Sequence, residues 1–229
     1  MITLHQYPPA FGLSSLSPFC IKVEVFLKMA RLPYQVKQER NPARGPKGKM
    51  PFIVDENETV ADSSFILEHL MQKYGLEHFA VSDPAALAFQ TLIEEGLYFI
   101  LLYSRWVDED GYKVVQDSFV PLFPPLLGKP FLAHIRKNLT RQARAQGLGR
   151  HTKTQVYELG QKQIDALAQF LGERRFFFEE RFTSFDASAF AFLLTILNQP
   201  IASPLQQRVL QHKNLCDYVI RLEELCSLS

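Results

Sequence analysis

The spacing of apolar and polar positions changes character near residue 80. Before it, short apolar runs bounded by turn residues alternate with single helical stripes; after it, i, i+3, i+4 stripes succeed one another and strand-like alternation nearly vanishes. Ile2 to Tyr7 is rich in strand formers and is broken by Pro8, Pro9 and Gly12. After a serine-rich loop, Ser17 and Pro18 place a hydroxyl at a cap position and a proline at the first helical position, where no N–H is missed. Ile21, Val25 and Leu27 to Met29 form the apolar stripe of that helix, with Lys22, Glu24 and Lys28 expected to face outward, and Pro33 stops it. Tyr34 to Val36 begins a second strand, so the pattern predicts a parallel βαβ unit. Lys37 to Lys49 has no apolar period and reads as a basic loop. Met50 to Leu70 then reads as strand, turn, strand and helix: Phe52 to Val54, the turn Asp55-Glu56-Asn57, Thr59 to Ala61, and a stripe of Phe65, Ile66, Leu67 and Leu70 opening on Asp62 and Ser63.

From Ser82-Asp83-Pro84 a long helix is expected to run to about Val107, where Asp108 to Tyr112 breaks it. Pro121, Pro124 and Pro125 make an irregular connection, and after it comes a basic amphipathic helix from Phe131 to Gln146. His151 or Thr152 starts another, with Val156, Leu159, Ile164, Leu167 and Leu171 on one side. Thr183 and Asp186 have capping-box spacing, with Phe182 placed as a staple. Short helices at Pro204 to Gln211 and Leu215 to Leu225 close the chain. The pattern therefore predicts an α/β module over residues 1–76 and an all-helical module over 83–229.

Composition narrows the function classes. Hydrophobic residues make up 47% and the net charge is +1, an ordinary globular balance rather than that of a disordered or strongly nucleic-acid-seeking chain. Three scattered cysteines make no disulfide framework and point to a reducing, cytoplasmic setting. The first residues lack the basic start and apolar core of a signal peptide. The longest uncharged run, Ala187 to Gln207, is interrupted by Asn198, Gln199 and Pro200, so no membrane span is expected. The six histidines have neither HxxxH nor HxH spacing, and no metal site is expected. Arg174 to Arg181 reads as a linker packing phenylalanines between helices, not as a nucleic-acid strip. The basic loop near Lys47 and the basic helix around His134 to Arg144 read as solvated faces, with acidic lipid as the less common alternative.

A βαβ unit, a loop and a proline-led ββα match the thioredoxin fold, and the helical module behind it makes the chain resemble the glutathione transferase superfamily. Ser17-Pro18-Phe19-Cys20 resembles both the C-P-x-C of glutaredoxin-like proteins, with serine first, and the S-P-F of serine-type transferases. Met50-Pro51 occupies the place of the family's cis-proline. Asp62-Ser63 with Phe65, Ile66 and Leu70 resembles E-S-x-A-I-x-x-Y-L, with aspartate for the commoner glutamate. Thr183 to Asp186 matches the capping box of the family's central second-domain helix. Within the superfamily the chain looks most like the failed axon connections and metaxin-related branch, which includes members used in import or development.

The resemblance implies a thioredoxin-like N-terminal domain, an all-α C-terminal domain, glutathione as co-substrate and a homodimer. Met50 and Pro51 would pair with the cysteinyl backbone of glutathione like an added strand. Asp62, Ser63 and the first amides of their helix would take its charged γ-glutamyl end, and Lys49 or Lys47 its glycine carboxylate. Ser17 is the first candidate for stabilising the thiolate that attacks a hydrophobic electrophile or peroxide. Tyr7, at the end of the first strand, is the second, and Ser14 and Ser15 come third. Cys20 is expected to be a buried small hydrophobe, with a mixed-disulfide role as the alternative. Tyr98, Tyr103 and Trp106, on the long helix, are candidates to line a hydrophobic pocket for the second substrate, with core packing as the alternative. Two other readings stay open: a non-catalytic scaffold related to metaxins, and a thiol-disulfide protein working through Cys20.

Overall fold

Ile2 and Leu4 are buried along the first strand, and a strand with apolar side chains needs a second layer to cover it. The computed structural model, described for residues 1–228 and for side chains to residue 227, supplies that layer with helices. Strand β1 (Ile2–Gln6) lies parallel to β2 (Tyr34–Gln38) and antiparallel to β3 (Phe52–Asp55), and β3 pairs antiparallel with β4 (Glu58–Ala61). The sheet order is β2-β1-β3-β4. Helix α1 (Pro18–Met29) makes the βαβ crossover, and α2 (Ser63–Tyr74) comes after β4 and ends on Gly75 at φ 66, where a left-handed residue closes the last turn.

Helix α3 (Ala85–Val107) opens the helical part, its first turn capped by Asp83, which accepts from the Ala85 amide at 2.8 Å. By length and composition alone it could cross a membrane; here Ile93, Leu97, Ile100 and Leu101 are buried in the core. Two of its turns, Leu92–Leu97 and Tyr103–Val107, are π-helical, and each extra residue rotates the next turns relative to a regular helix. Then come α4 (Glu109–Phe119), α5 (Gly128–Gln146), α6 (Lys153–Leu171), α7 (Ser184–Asn198), α8 (Pro204–Gln211) and α9 (Lys213–Leu228). Capping boxes start α6 at Thr152 and α7 at Thr183. Asp186 at the head of α7 accepts from the Thr183 amide and hydroxyl, the Phe177 amide and the Tyr218 hydroxyl. That satisfies a fully buried carboxylate and pins the Phe176–Phe177 linker to the core.

Several expectations are corrected. Lys22 and Glu24 do not face outward: they are 1% and 9% exposed, because α1 packs against α2 and α7 and both side chains find partners inside, Lys22 at Ser63, Ser64 and Glu94 and Glu24 at the Gln6 amide of β1. Asp108 breaks α3 but at once caps a new helix, α4, which periodicity does not reveal. Helix α5 starts at Gly128, three residues before the expected Phe131, and Leu159 is exposed although it lies on the α6 stripe.

Candidate functional site

The head of α1 is the point where the sheet, its loops and the helical part meet. Ser17 caps it through backbone geometry alone: its carbonyl accepts from the Cys20 and Ile21 amides, and its hydroxyl makes no cap bond. The hydroxyl instead lies beside the Cys20 thiol, as does that of the fully buried Ser15. Burial pushes the Cys20 thiol up to about 11, against the hydrogen bonds from the Tyr7 backbone, Ser15 and Ser17 that pull it down. Cys20 is 0% exposed and therefore stays a neutral thiol at neutral pH, the state expected of a small core residue.

Cys20, Met50 and Phe52 form a small cluster of their own, with Tyr7, Val54 and Ala61 against it. This brings Tyr7 to the cysteine and to the proline-led strand, closer than Pro8 and Pro9 lead one to expect. Burial raises the Tyr7 phenol to about 12, with Cys20 and Tyr98 adding to the shift, so it is a neutral hydrogen-bond donor rather than a phenolate. The Met50–Pro51 peptide is cis. The β1–β3 and β3–β4 ladders both end at Phe52, so the Met50–Pro51 backbone lies past the last ladder rung on either side.

At the head of α2, Asp62 adopts φ 86, and its carboxylate accepts from the Ser64 amide at 3.0 Å. Ser63 is 5% exposed and its hydroxyl accepts from Lys22 Nζ at 3.3 Å. The Lys22 ammonium also donates to Ser64 Oγ at 3.1 Å and to Glu94 Oε1 at 2.7 Å. Glu94 in turn accepts from Ser188 Oγ at 2.6 Å and from Gln90. This buried polar chain joins α1, α2, α3 and α7 directly behind the residues expected to hold a ligand. Sequence reasoning missed it, and the signal was present only as a charged residue inside an apolar helix stretch.

The loop before Pro51 folds over the same helix end. Lys47 Nζ stands 4.6 Å from the centre of the exposed Phe65 ring in the first turn of α2. Gly45 lets the turn close, since a Cβ there would meet the Lys49 carbonyl at 2.2 Å. Lys49 is exposed one residue before the cis bond.

From the helical side, Tyr98 leans on Phe19 with ring centres 5.1 Å apart, and Phe192 meets the same ring at 5.4 Å. Arg105, in the second π-helical turn, is 5% exposed and donates to the Leu16 carbonyl at 2.8 Å and to Gln199 Oε1 at 2.9 Å. Its Nη2 is buried without a partner, and among the described residues no carboxylate lies within ion-pair distance of it. Burial pulls this guanidinium down to about 10. Tyr103 belongs to the core against Tyr157, whereas Tyr98 packs on Phe19 at the head of α1; Trp106 is half-buried, and its backbone carbonyl accepts from Arg136. Two surface hollows, of about 420 and 250 Å³, lie elsewhere, along Val120 to Lys129 and around Val81 to Gln90. Among the described residues no group of His, Cys, Asp and Glu is placed to hold a metal ion.

The arrangement therefore collects donors at one helix end: a serine hydroxyl not used in capping, a neutral phenol, helix amides and a nearby guanidinium. Such a place stabilises a negative charge brought by a ligand.

The chain matches the family profile described as glutathione S-transferase N-terminal domain over residues 18–111, and that described as glutathione S-transferase C-terminal domain over residues 160–222. It is 32% identical to isoprene-epoxide–glutathione S-transferase of Rhodococcus, across 98% of both chains. It is 31% identical to Failed axon connections of Drosophila melanogaster, across 99% of this chain and 58% of that protein. Among solved structures it is similar to a glutathione S-transferase of Ceriporiopsis subvermispora in complex with glutathione, with a TM-score of 0.69 and 14% identity over 98% of this chain and 97% of that one. The βαβ–ββα sheet with its cis proline, the helical part capped at Thr183, and these likenesses in both halves place the chain in the glutathione transferase superfamily.

Proposed function

We propose that the chain binds glutathione at the head of α1 and activates its thiol for attack on a hydrophobic electrophile. The observation that carries this reading is the Ser17 hydroxyl, left out of the cap at a helix N-terminus that the donors of Tyr7 and Arg105 flank. The tripeptide lies along Met50 and Pro51, with its γ-glutamyl carboxylate at the amides that open α2 and its ammonium toward Asp62. Lys49 or Lys47 meets the glycine carboxylate. The sulfur then faces Ser17, with Tyr7 as a second neutral donor. A cysteine thiol in water is mostly protonated at neutral pH, and hydrogen bonds plus helix-end charge favour the thiolate. Cys20 takes no part, because its thiol is buried and protonated.

The Rhodococcus relative is named for an epoxide. A strained aliphatic epoxide is therefore the substrate class to test first, attacked at carbon by the thiolate with the ring oxygen leaving as alkoxide. Ser17→Ala tests the assignment: with glutathione and isoprene epoxide, conjugation falls about a hundredfold if the hydroxyl stabilises the thiolate. An unchanged rate, with Tyr7→Phe inactive, moves the role to Tyr7.

A second reading is a binding protein without transferase chemistry, as the likeness to Failed axon connections also permits. It is favoured by one observation: the Asp62 carboxylate and the Ser63 hydroxyl already have partners within the chain, Ser64 and Lys22.

A further inference from the structure

The molecule carries a second surface, independent of the glutathione reading. Between Asp117 and Glu158 the sequence contains no acidic residue, although the whole chain has 24, and it contains seven basic ones. Two of the seven are spent internally: Arg136 on the Trp106 and Val107 carbonyls and Glu109, and Lys153 on Asp108 and Asp110. Lys129, Lys137, Arg141, Arg144 and Arg150 remain at the surface, and among the described residues no carboxylate lies within ion-pair distance of them.

Their placement is ordered. His134, Lys137, Arg141 and Arg144 recur every three or four residues along α5, so they share its outer face. Phe131 stands one turn earlier on that face and is 49% exposed. Just before it the chain loops through Leu122, Leu126 and Leu127, which are 69%, 91% and 59% exposed. Phe123 closes the loop onto the helix, its ring 5.0 Å from that of Phe131. Large apolar side chains exposed elsewhere are scattered; here four fall within ten residues at the end of a cationic stripe.

We propose that this face docks on an anionic lipid surface, with Leu122, Leu126, Leu127 and Phe131 entering the headgroup boundary and the α5 stripe lying on the lipid charges. An apolar wedge joined to a basic helix face is the combination that holds a protein on such a surface. A second copy of the chain fits less well. A two-fold contact through the patch sets one cationic stripe beside another, whereas an anionic membrane neutralises both.

The test is co-sedimentation of the full chain with phosphatidylcholine vesicles, with and without phosphatidylserine. Binding is expected to the mixed vesicles only and to weaken with added salt. Lys137→Glu/Arg141→Glu/Arg144→Glu lowers it by about a hundredfold, since each basic group near the surface contributes about fivefold. Leu126→Ser/Leu127→Ser lowers it as well, while both variants keep the parent's melting temperature and glutathione affinity. Three results overturn the proposal: equal binding to neutral vesicles, no binding to either, or leucine variants that bind as the parent does. Concentration-dependent dimerisation that the leucine variants abolish, without lipid binding, assigns the patch to a second copy instead.

Discussion

Arg105 on α3 donates to the carbonyl of Leu16 at 2.8 Å, so the helical part grips the peptide that delivers Ser17 to the head of α1. The grip is made by a buried guanidinium without a carboxylate, which is a costly way to make two hydrogen bonds, to the Leu16 carbonyl and to Gln199. Replacing it by an apolar side chain of similar length removes both the cost and the grip.

Arg105→Met is therefore expected to change unfolding free energy by less than about 1 kcal/mol in either direction, because relief of the buried charge offsets the lost bonds. Conjugation of glutathione falls about tenfold in kcat/KM, because the Leu16–Ser17 segment loses its outer support. Urea unfolding beside steady-state kinetics separates the two effects. A loss of stability with unchanged kinetics contradicts this role.

Lys22 and Glu94 form the opposite case, a paired buried charge. Lys22→Met leaves Glu94 without its ammonium and is expected to cost about 3–5 kcal/mol. The double variant Lys22→Met/Glu94→Leu recovers most of that loss, leaving Ser63, Ser64 and Ser188 with fewer partners. Chemical denaturation of the two singles and the double gives the coupling energy. A coupling near zero means that the contact at 2.7 Å does not hold α1 to α3.

Cys20 is predicted to be inert while the protein is folded. With its thiol at about 11 and fully buried, it reacts with a maleimide at neutral pH only after denaturant is added. Cys216, partly exposed on α9, is the thiol that reacts first in the native protein. Mass spectrometry after a short pulse identifies the labelled peptide. Rapid labelling of native Cys20 reopens a thiol-disulfide role.

What the sequence shows, and what it conceals, divides by the range of the interactions. Ser17-Pro18, Met50-Pro51 and Thr183 to Asp186 are legible because caps, proline turns and capping boxes are made by residues a few positions apart. Asp108 reads as a break, although an aspartate that stops one helix also serves to start the next. Lys22 and Glu94 are 72 residues apart, and Arg105 is 89 from Leu16. Their partners depend on packing, and on two π-helical turns that shift the register of α3 without any local mark in the sequence. Tyr7 reads as too far from the site for a related reason: the loop carrying Pro8 and Pro9 folds aside, and the end of β1 stays against Cys20.

Asp165 sets a pH dependence where α6 meets α8. Arg208 donates to it at 2.6 and 2.7 Å and His212 lies 2.8 Å away, and together they hold its carboxyl at about 2. A depressed folded value means that the carboxylate's contribution is full above its ordinary 3.8 and is lost as pH falls toward 2. Asp165→Asn should thus melt below the parent at neutral pH, and the gap should close through that acid window. A gap independent of pH assigns the effect to packing.

Whether glutathione occupies the head of α1 is read by calorimetric titration of the full chain with the tripeptide. Saturable heat with one site per chain is predicted, weakened about tenfold in Asp62→Ala and accompanied by a rise in melting temperature that tracks ligand concentration. No heat and no melting shift at millimolar glutathione would rule out the proposed site and leave the superfamily's architecture without its ligand.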